Sequence, residues 1–215
     1  MIYIFFAIWL AISAACFFAK SRKVVHILCG LYMAVHTVFA AMLWLGGAYR
    51  SSSGGFFTFD ELGTLFYALL AVVATFVLIH SQEYLKDDKI TNYRNYFALL
   101  MLLITSITGV YFADNIAVTW ILLETTTLCA AGIIYHRHSK ATLEATWKYL
   151  FVCSTGIAIA YLGILLLSAA ASNNSLSYND LQQLIANGNP LYLKVAFLLI
   201  ITGYSCKMEI FPLYT

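Results

Sequence analysis

Seven long stretches poor in Asp, Glu, Lys and Arg occupy most of this chain, at about 1–19, 24–49, 62–79, 95–113, 115–135, 145–171 and 191–211. Each is near the roughly 20 residues that a helix needs to cross the hydrocarbon core of a bilayer. In lipid every backbone N–H and C=O must find its partner within the protein, so only helices or a closed barrel span it. Runs this long and this continuously apolar select helices. The pattern predicts an all-α, polytopic transmembrane helix bundle of about seven spans. Spans one to four form an N-terminal group over 1–113, and spans five to seven a second group over 114–215.

Composition removes the alternatives. Only 10% of the residues are charged and 62% are apolar, whereas an average soluble domain carries about 25% charged residues. A soluble enzyme, a DNA-binding domain and a disordered chain are excluded together. With 12 Lys and Arg against 10 Asp and Glu, no basic surface for nucleic acid follows from net charge. Cys16, Cys29, Cys129, Cys153 and Cys206 stand singly in apolar runs without Cys-x-x-Cys spacing, and read as small buried hydrophobes. The first run lacks a basic region ahead of it, and Lys20, Arg22 and Lys23 follow it, so it reads as a retained helix and not a cleaved signal.

The loops set an orientation. Those after spans one, three and five hold eight basic residues, among them Lys20, Lys86, Arg94 and Arg137, against Arg50 and Lys194 on the other side. By the positive-inside bias, a multi-pass protein of the cytoplasmic (inner) membrane with its N-terminus outside is expected, span seven ending inside. Between spans six and seven, Ser177 and Asp180 fit a capping box, and Leu181, Leu184 and Ile185 line one face. Asn187, Gly188 and Pro190 then supply a stop, which predicts a short amphipathic surface helix over 177–187.

Three charges fall inside spans: Glu124, Lys148 and Lys207. Each costs about 2.5–3.5 kcal/mol at a helix centre on insertion scales, so each needs a partner, a water-filled cavity or a function. Glu124 lies roughly 16 Å, and Lys148 roughly 12 Å, from the same membrane face at 1.5 Å per residue. Matching depth on antiparallel helices lets the two meet, and a buried carboxylate beside a buried ammonium suits a proton relay. Glu144, four residues before Lys148, is a competing partner on the same helix face. Lys207 lies between Gly203 and Pro212 in a short charge-free stretch, the mark of a discontinuous helix whose broken backbone lines a cavity.

The histidines say less. His26 and His36 are ten residues apart on span two and point to different faces. His136 and His138 flank Arg137 in a loop, solvated or passing protons between water and Glu124. Trp9, Trp44, Tyr49, Tyr84 and Tyr93 fit an interfacial belt or packing. No nucleophile triad, phosphate-binding glycine loop, zinc spacing or haem motif stands out.

Residues 114–128 (DNIAVTWILLETTTL) resemble the fifth helix of antiporter-like membrane subunits, and 139–150 (SKATLEATWKYL) resemble the start of their sixth. Residues 203–213 are similar to the glycine, lysine and proline motif of their seventh. The likeness is to the large antiporter-like membrane subunit of hydrogenase-4 and formate hydrogenlyase complexes, related to an NADH dehydrogenase membrane subunit and to multisubunit cation/proton antiporters. Glu209 stands where that family has a small residue, and Tyr214 where it commonly has histidine.

The resemblance implies a proton-translocating arm attached to a redox module. Glu124, Lys148 and Lys207 would carry protons, or sodium ions, with Glu144, His136, His138 and Glu209 as auxiliaries. Redox centres would reside in other membrane and redox subunits, leaving no cofactor or metal in this chain. The family continues through a second inverted repeat, so the chain reads as an N-terminal portion of such a protein. Two rival expectations are a non-transporting membrane scaffold and a haem-binding membrane enzyme that uses the histidines.

Overall fold

The computed structural model describes residues 2–45, 55–86, 88–170, 176–178, 180–181 and 189–208. Among the described residues seven α-helices carry the fold: α1 (Ile2–Phe17), α2 (Arg22–Leu45), α3 (Glu61–Tyr84), α4 (Ile90–Phe112), α5 (Ile116–Ile134), α6 (Lys140–Ala170) and α7 (Pro190–Lys207). Six of them, α2 to α7, are long and apolar enough to cross a membrane. With 16 residues, α1 spans only about 24 Å at 1.5 Å per residue, less than the roughly 30 Å of a bilayer core. The chain is a multi-pass membrane protein, and the described residues contain no strand beyond two isolated bridges.

Helix α4 lies at the centre of the first group, against α1, α2 and α3, and also packs on α5. Trp9, Tyr32 and Tyr67 from its neighbours and its own Tyr93, Phe97 and Phe112 are fully buried. Trp9 and Tyr93 therefore serve packing, while Trp44 and Tyr84 stay exposed. Tyr49 lies outside the described residues. Buried hydroxyls on α4 are satisfied locally: Thr105, Ser106 and Thr108 each donate to the carbonyl four residues earlier. Tyr32 adds a hydroxyl bond of 2.8 Å to Met101 O.

The two histidines of α2 do face different neighbours. His26 meets Gln82 at 2.9 Å and Tyr93 at 3.1 Å. His36 stacks on Trp9 with ring centroids 4.3 Å apart and meets the Tyr67 hydroxyl at 2.8 Å. None of the five cysteines, all among the described residues, forms a disulfide, and all but Cys206 are buried.

The second group packs differently. Helices α6 and α7 run against each other through Gly156, Ala160, Gly163, Ala196 and Gly203. A Cβ on Gly203 would lie 2.5 Å from Ala160 N, and one on Gly163 2.8 Å from Ala196 O. Small residues here let two backbones touch, the usual solution where lipid removes the hydrophobic drive for helix pairing. Helix α7 runs unbroken through Gly203, which serves close approach to α6, and ends at Lys207. Pro212, and any discontinuity beyond Met208, lies outside the described residues.

At one end of the bundle the turn between α4 and α5 is clasped from both sides. Phe57 bridges Ala113, Asn115 bridges Ser177, and Ile116 N donates to Leu176 O at 3.1 Å. Asn115 caps α5 by accepting from Ala117 N and Val118 N. The predicted cap at Ser177 forms, its Oγ accepting from Asp180 N at 3.2 Å, and Leu181 is buried on the bundle. Residues 182–187 of the expected surface helix lie outside the described residues.

Candidate functional site

Glu124 sits in the middle of α5, and a tryptophan one turn earlier sets what it faces. The Trp120 indole donates to Ile157 O at 2.9 Å and its ring packs 4.5 Å from that of Tyr161. With α5 and α6 antiparallel, one turn onward on α5 meets one turn back on α6. Glu124 accordingly meets Ser154, whose hydroxyl donates to Oε1 at 3.2 Å. The other carboxylate oxygen, Oε2, is buried without a hydrogen-bond partner.

The third side of the site comes from α7. Its glycine contacts with α6 place Gly203 against Gly156 and Ala160, and Cys206 against Gly156. Lys207 follows one residue later, at the end of the helix, and reaches across to α5. Its Nζ donates to Thr127 Oγ1, and it lies within electrostatic reach of Cys153 and Glu124. Thr127 and Cys153 are buried, and Glu124 and Lys207 half-buried. One acid, one base and three small polar groups are thus gathered between α5, α6 and α7.

Lys148 is not among them. Its Nζ bonds Glu144 Oε1 at 2.6 Å, with the two side chains 70% and 67% exposed. The depth argument for a Glu124–Lys148 pair is sound, but depth is only one coordinate. Lys148 lies six residues before Ser154, about 240° around the helix at 100° per residue, and so points away from α5. The competing partner Glu144 takes it. Lys207, not Lys148, is the cation that shares the site with Glu124.

The auxiliary residues scatter. His136 is not solvated: its side chain is 12% exposed, Nδ1 meets Ile133 O at 2.9 Å, and its ring packs 5.4 Å from Tyr96. Its Nε2 faces Asp88 Oδ2 at 3.8 Å. His138 is exposed, in a left-handed conformation with φ of 50° that ends the short 3-10 turn Tyr135–Arg137. Neither contacts Glu124. Glu209 lies outside the described residues.

Ser154, Thr127 and Cys153 belong to the site although sequence reasoning does not single them out. The signal lies in two polar interruptions, Thr125-Thr126-Thr127 directly after Glu124 and Cys153-Ser154-Thr155 in mid-span. Hydroxyls in spans are common and bond their own helix, as Thr125 does to Ile121 O. Only the neighbouring helices show which of them serve the charges. Among the described residues no cluster of three or more His, Cys, Asp or Glu is placed to hold a metal ion.

Fold and site together define a class: a polytopic helical membrane protein whose intramembrane acid and base converge between three adjacent helices. Residues 113–215 match the family model for the transmembrane part of NADH:quinone oxidoreductase and Mrp antiporter subunits. The chain is 24% identical over 196 residues to the hydrogenase-4 component F homolog of Methylacidiphilum infernorum, covering 84% of this chain and 41% of that protein. It is 26% identical over 156 residues to Na(+)/H(+) antiporter subunit A1 of Staphylococcus aureus, covering 72% of this chain and 19% of that protein.

Solved structures share the fold. A chain of the archaeal membrane-bound sulfane sulfur reductase superposes with a TM-score of 0.78 at 21% identity, over 97% of this chain and 45% of that one. A chain of respiratory complex I from Thermus thermophilus gives 0.76 at 17% identity, over 100% of this chain and 45% of that one. Over residues 113–215 in particular, the chain is similar to antiporter-like membrane subunits. It spans less than half the length of these relatives.

Proposed function

We propose that the chain forms part of the proton-translocating arm of a membrane-bound hydrogenase or NADH:quinone oxidoreductase type complex, and that Glu124 and Lys207 carry the proton-handling step. The observation that carries this reading is the convergence of an intramembrane carboxylate and an intramembrane amine on one side-chain cluster, with one carboxylate oxygen left unpaired. Ionisable residues within spans are expensive, and those that converge inside a bundle mark ion paths more often than they add stability. An acid and a base whose attraction varies with their separation change proton affinity together, so a change in the Glu124–Lys207 separation is linked to proton uptake and release.

The polar residues support this assignment. Ser154 holds the carboxylate through Oε1, and Thr127 holds the ammonium, so both charges stay hydrogen-bonded when they are apart. Redox centres reside in partner subunits on this reading, and this chain moves ions without a cofactor. The transported ion is a proton, with sodium as the alternative. The basic-loop end of the bundle, where Lys207 terminates α7, faces the cytoplasm. Lys148 and Glu144 form a separate ion pair on the outer face of α6, available to a neighbouring protein of the complex.

The test is Glu124→Gln in the assembled complex, in inverted membrane vesicles, with electron transfer and proton uptake followed together. The expected result is continued electron transfer with a lower proton yield per electron. A full proton yield contradicts the assignment and favours a non-transporting scaffold.

A further inference from the structure

Thr127 lies one turn beyond Glu124 on α5, and residues three apart on a helix share a face with Cβ atoms about 5–6 Å apart. Its hydroxyl donates to Leu123 O at 3.1 Å and accepts from Lys207 Nζ. The hydroxyl proton is therefore committed to the backbone, and the lone pair is aimed at the lysine. Thr127 is fully buried, so water does not compete for that lone pair. One turn away, Glu124 Oε2 is a buried acceptor with no donor, while Oε1 is already taken by Ser154.

We propose that the Lys207 ammonium has two seats on α5, the Thr127 hydroxyl and Glu124 Oε2, and that Thr127 is the positioning residue that keeps the ion pair open. This rests on the proton-handling reading of Glu124 and Lys207. A lysine side chain spans the separation of the two seats by turning about its own bonds, so the move needs no displacement of α7. The seats differ in charge. Both bonds are charge-assisted through the ammonium, and only the one to Glu124 also joins opposite charges. Without the hydroxyl, Nζ has only the carboxylate to bond, and the pair stays closed. With it, the ammonium keeps a partner while Glu124 is free to take or give a proton.

The seat also accounts for the placement of Lys207 at the last helical residue of α7, after which Met208 caps the helix. A terminal position lets the lysine stem lie across α5 without crossing a further turn of its own helix. Cys153 on α6 is within electrostatic reach of the lysine, and its sulfur is only a weak acceptor.

The experiment uses the whole complex with Thr127→Val, which keeps shape and removes the hydroxyl, beside Thr127→Ser, which restores it. Thr127→Val is expected to slow proton translocation about tenfold, the kinetic counterpart of one hydrogen bond to a charged group. Thr127→Ser is expected to remain near the wild-type rate. The readout that a structural role would not move is a double-mutant cycle in thermal unfolding. The coupling between Glu124→Gln and Lys207→Met should rise in the Thr127→Val background, where the pair is closed.

A wild-type rate and unchanged coupling in Thr127→Val overturn the two-seat proposal while leaving the assignment of Glu124 intact. A full proton yield in Glu124→Gln overturns both, so the two failures are distinguishable. Should Thr127→Val not assemble, the wild-type complex still decides the matter. Solid-state NMR with labelled lysine and threonine must show a through-space contact between Lys207 Nζ and the Thr127 side chain, and its absence refutes the seat.

Discussion

Helices α1 to α4 and helices α5 to α7 solve the same packing problem in opposite ways. The first group fills its interior with large rings: Phe39 alone contacts Phe5, Trp9, Phe59, Tyr67 and Phe112 edge-on or tilted. Helix α4 is the most buried of the spans and α7 the least, with α2, α3, α5 and α6 between them. The second group removes side chains instead, bringing backbones together at Gly156, Gly163 and Gly203. Rings make a self-sufficient core, and they leave no room for a lysine stem. Glycines bring α7 close enough for its end to reach across α6 onto α5. The placement of the acid–base pair in the second group follows from that choice.

This contrast makes testable claims about damage. Trp9→Ala should have the largest effect, a loss of about 3–5 kcal/mol for a fully buried tryptophan, read as a fall in the thermal unfolding midpoint of the purified protein. Its harm should centre on α1 to α4, where hydrogen exchange of α4 should accelerate most. Equal acceleration across α6 and α7 would dissolve the distinction between the two groups. Gly203→Val should come next, at about 1–3 kcal/mol for overpacking. Because the clash is with the backbone of Ala160, it should also push the end of α7 outward and reduce proton translocation by more than its stability cost explains.

Ser154→Ala should cost about 1.5–3 kcal/mol, the worth of a hydrogen bond to a charged group, and should leave both oxygens of Glu124 unpaired. Lys148→Ala should have the smallest effect. Its ion pair with Glu144 is exposed, and such pairs add little in thermal unfolding. A large loss of stability in Lys148→Ala would mean that the outer face of α6 is more constrained than its exposure indicates.

The spans are readable from charge spacing alone. The predicted stretches 62–79, 115–135 and 145–171 correspond to α3 at Glu61–Tyr84, α5 at Ile116–Ile134 and α6 at Lys140–Ala170. Ends of spans are legible because water and lipid select opposite residues along the helix axis. Faces are not, and the reason is physical. In a soluble helix the buried stripe is apolar and the rest polar, so a period of 3.6 reveals it. In lipid the outer face is as apolar as the core, and Phe76 and Leu69 on α3 lie exposed while Leu78 on the same helix is buried.

Azimuth is therefore the missing coordinate. Glu124 and Lys148 agree in depth, yet Lys148 faces outward, and nothing in the composition of α6 distinguishes its sides. Two local features do carry azimuthal information once the partner helices are known. Gly156 and Gly163 lie seven residues apart on α6, two turns along one face, and mark where α7 approaches. Trp120 stands one turn before Glu124, and its indole seeks a carbonyl on the adjacent helix. With Pro212, Gly203 brackets the expected break around Lys207, and its pairing with Gly156 also makes it a helix contact. Glycine in a span has both uses, and only the partner helix tells them apart.

On the proposed reading Lys207, and not Lys148, works with Glu124. That reading is tested most directly by the proton yield per electron in inverted vesicles for Lys207→Met and Lys148→Met, each in the assembled complex. The yield should fall in Lys207→Met while electron transfer continues, and should stay near wild type in Lys148→Met. The reverse order, with Lys148→Met depleted and Lys207→Met unaffected, would contradict that reading.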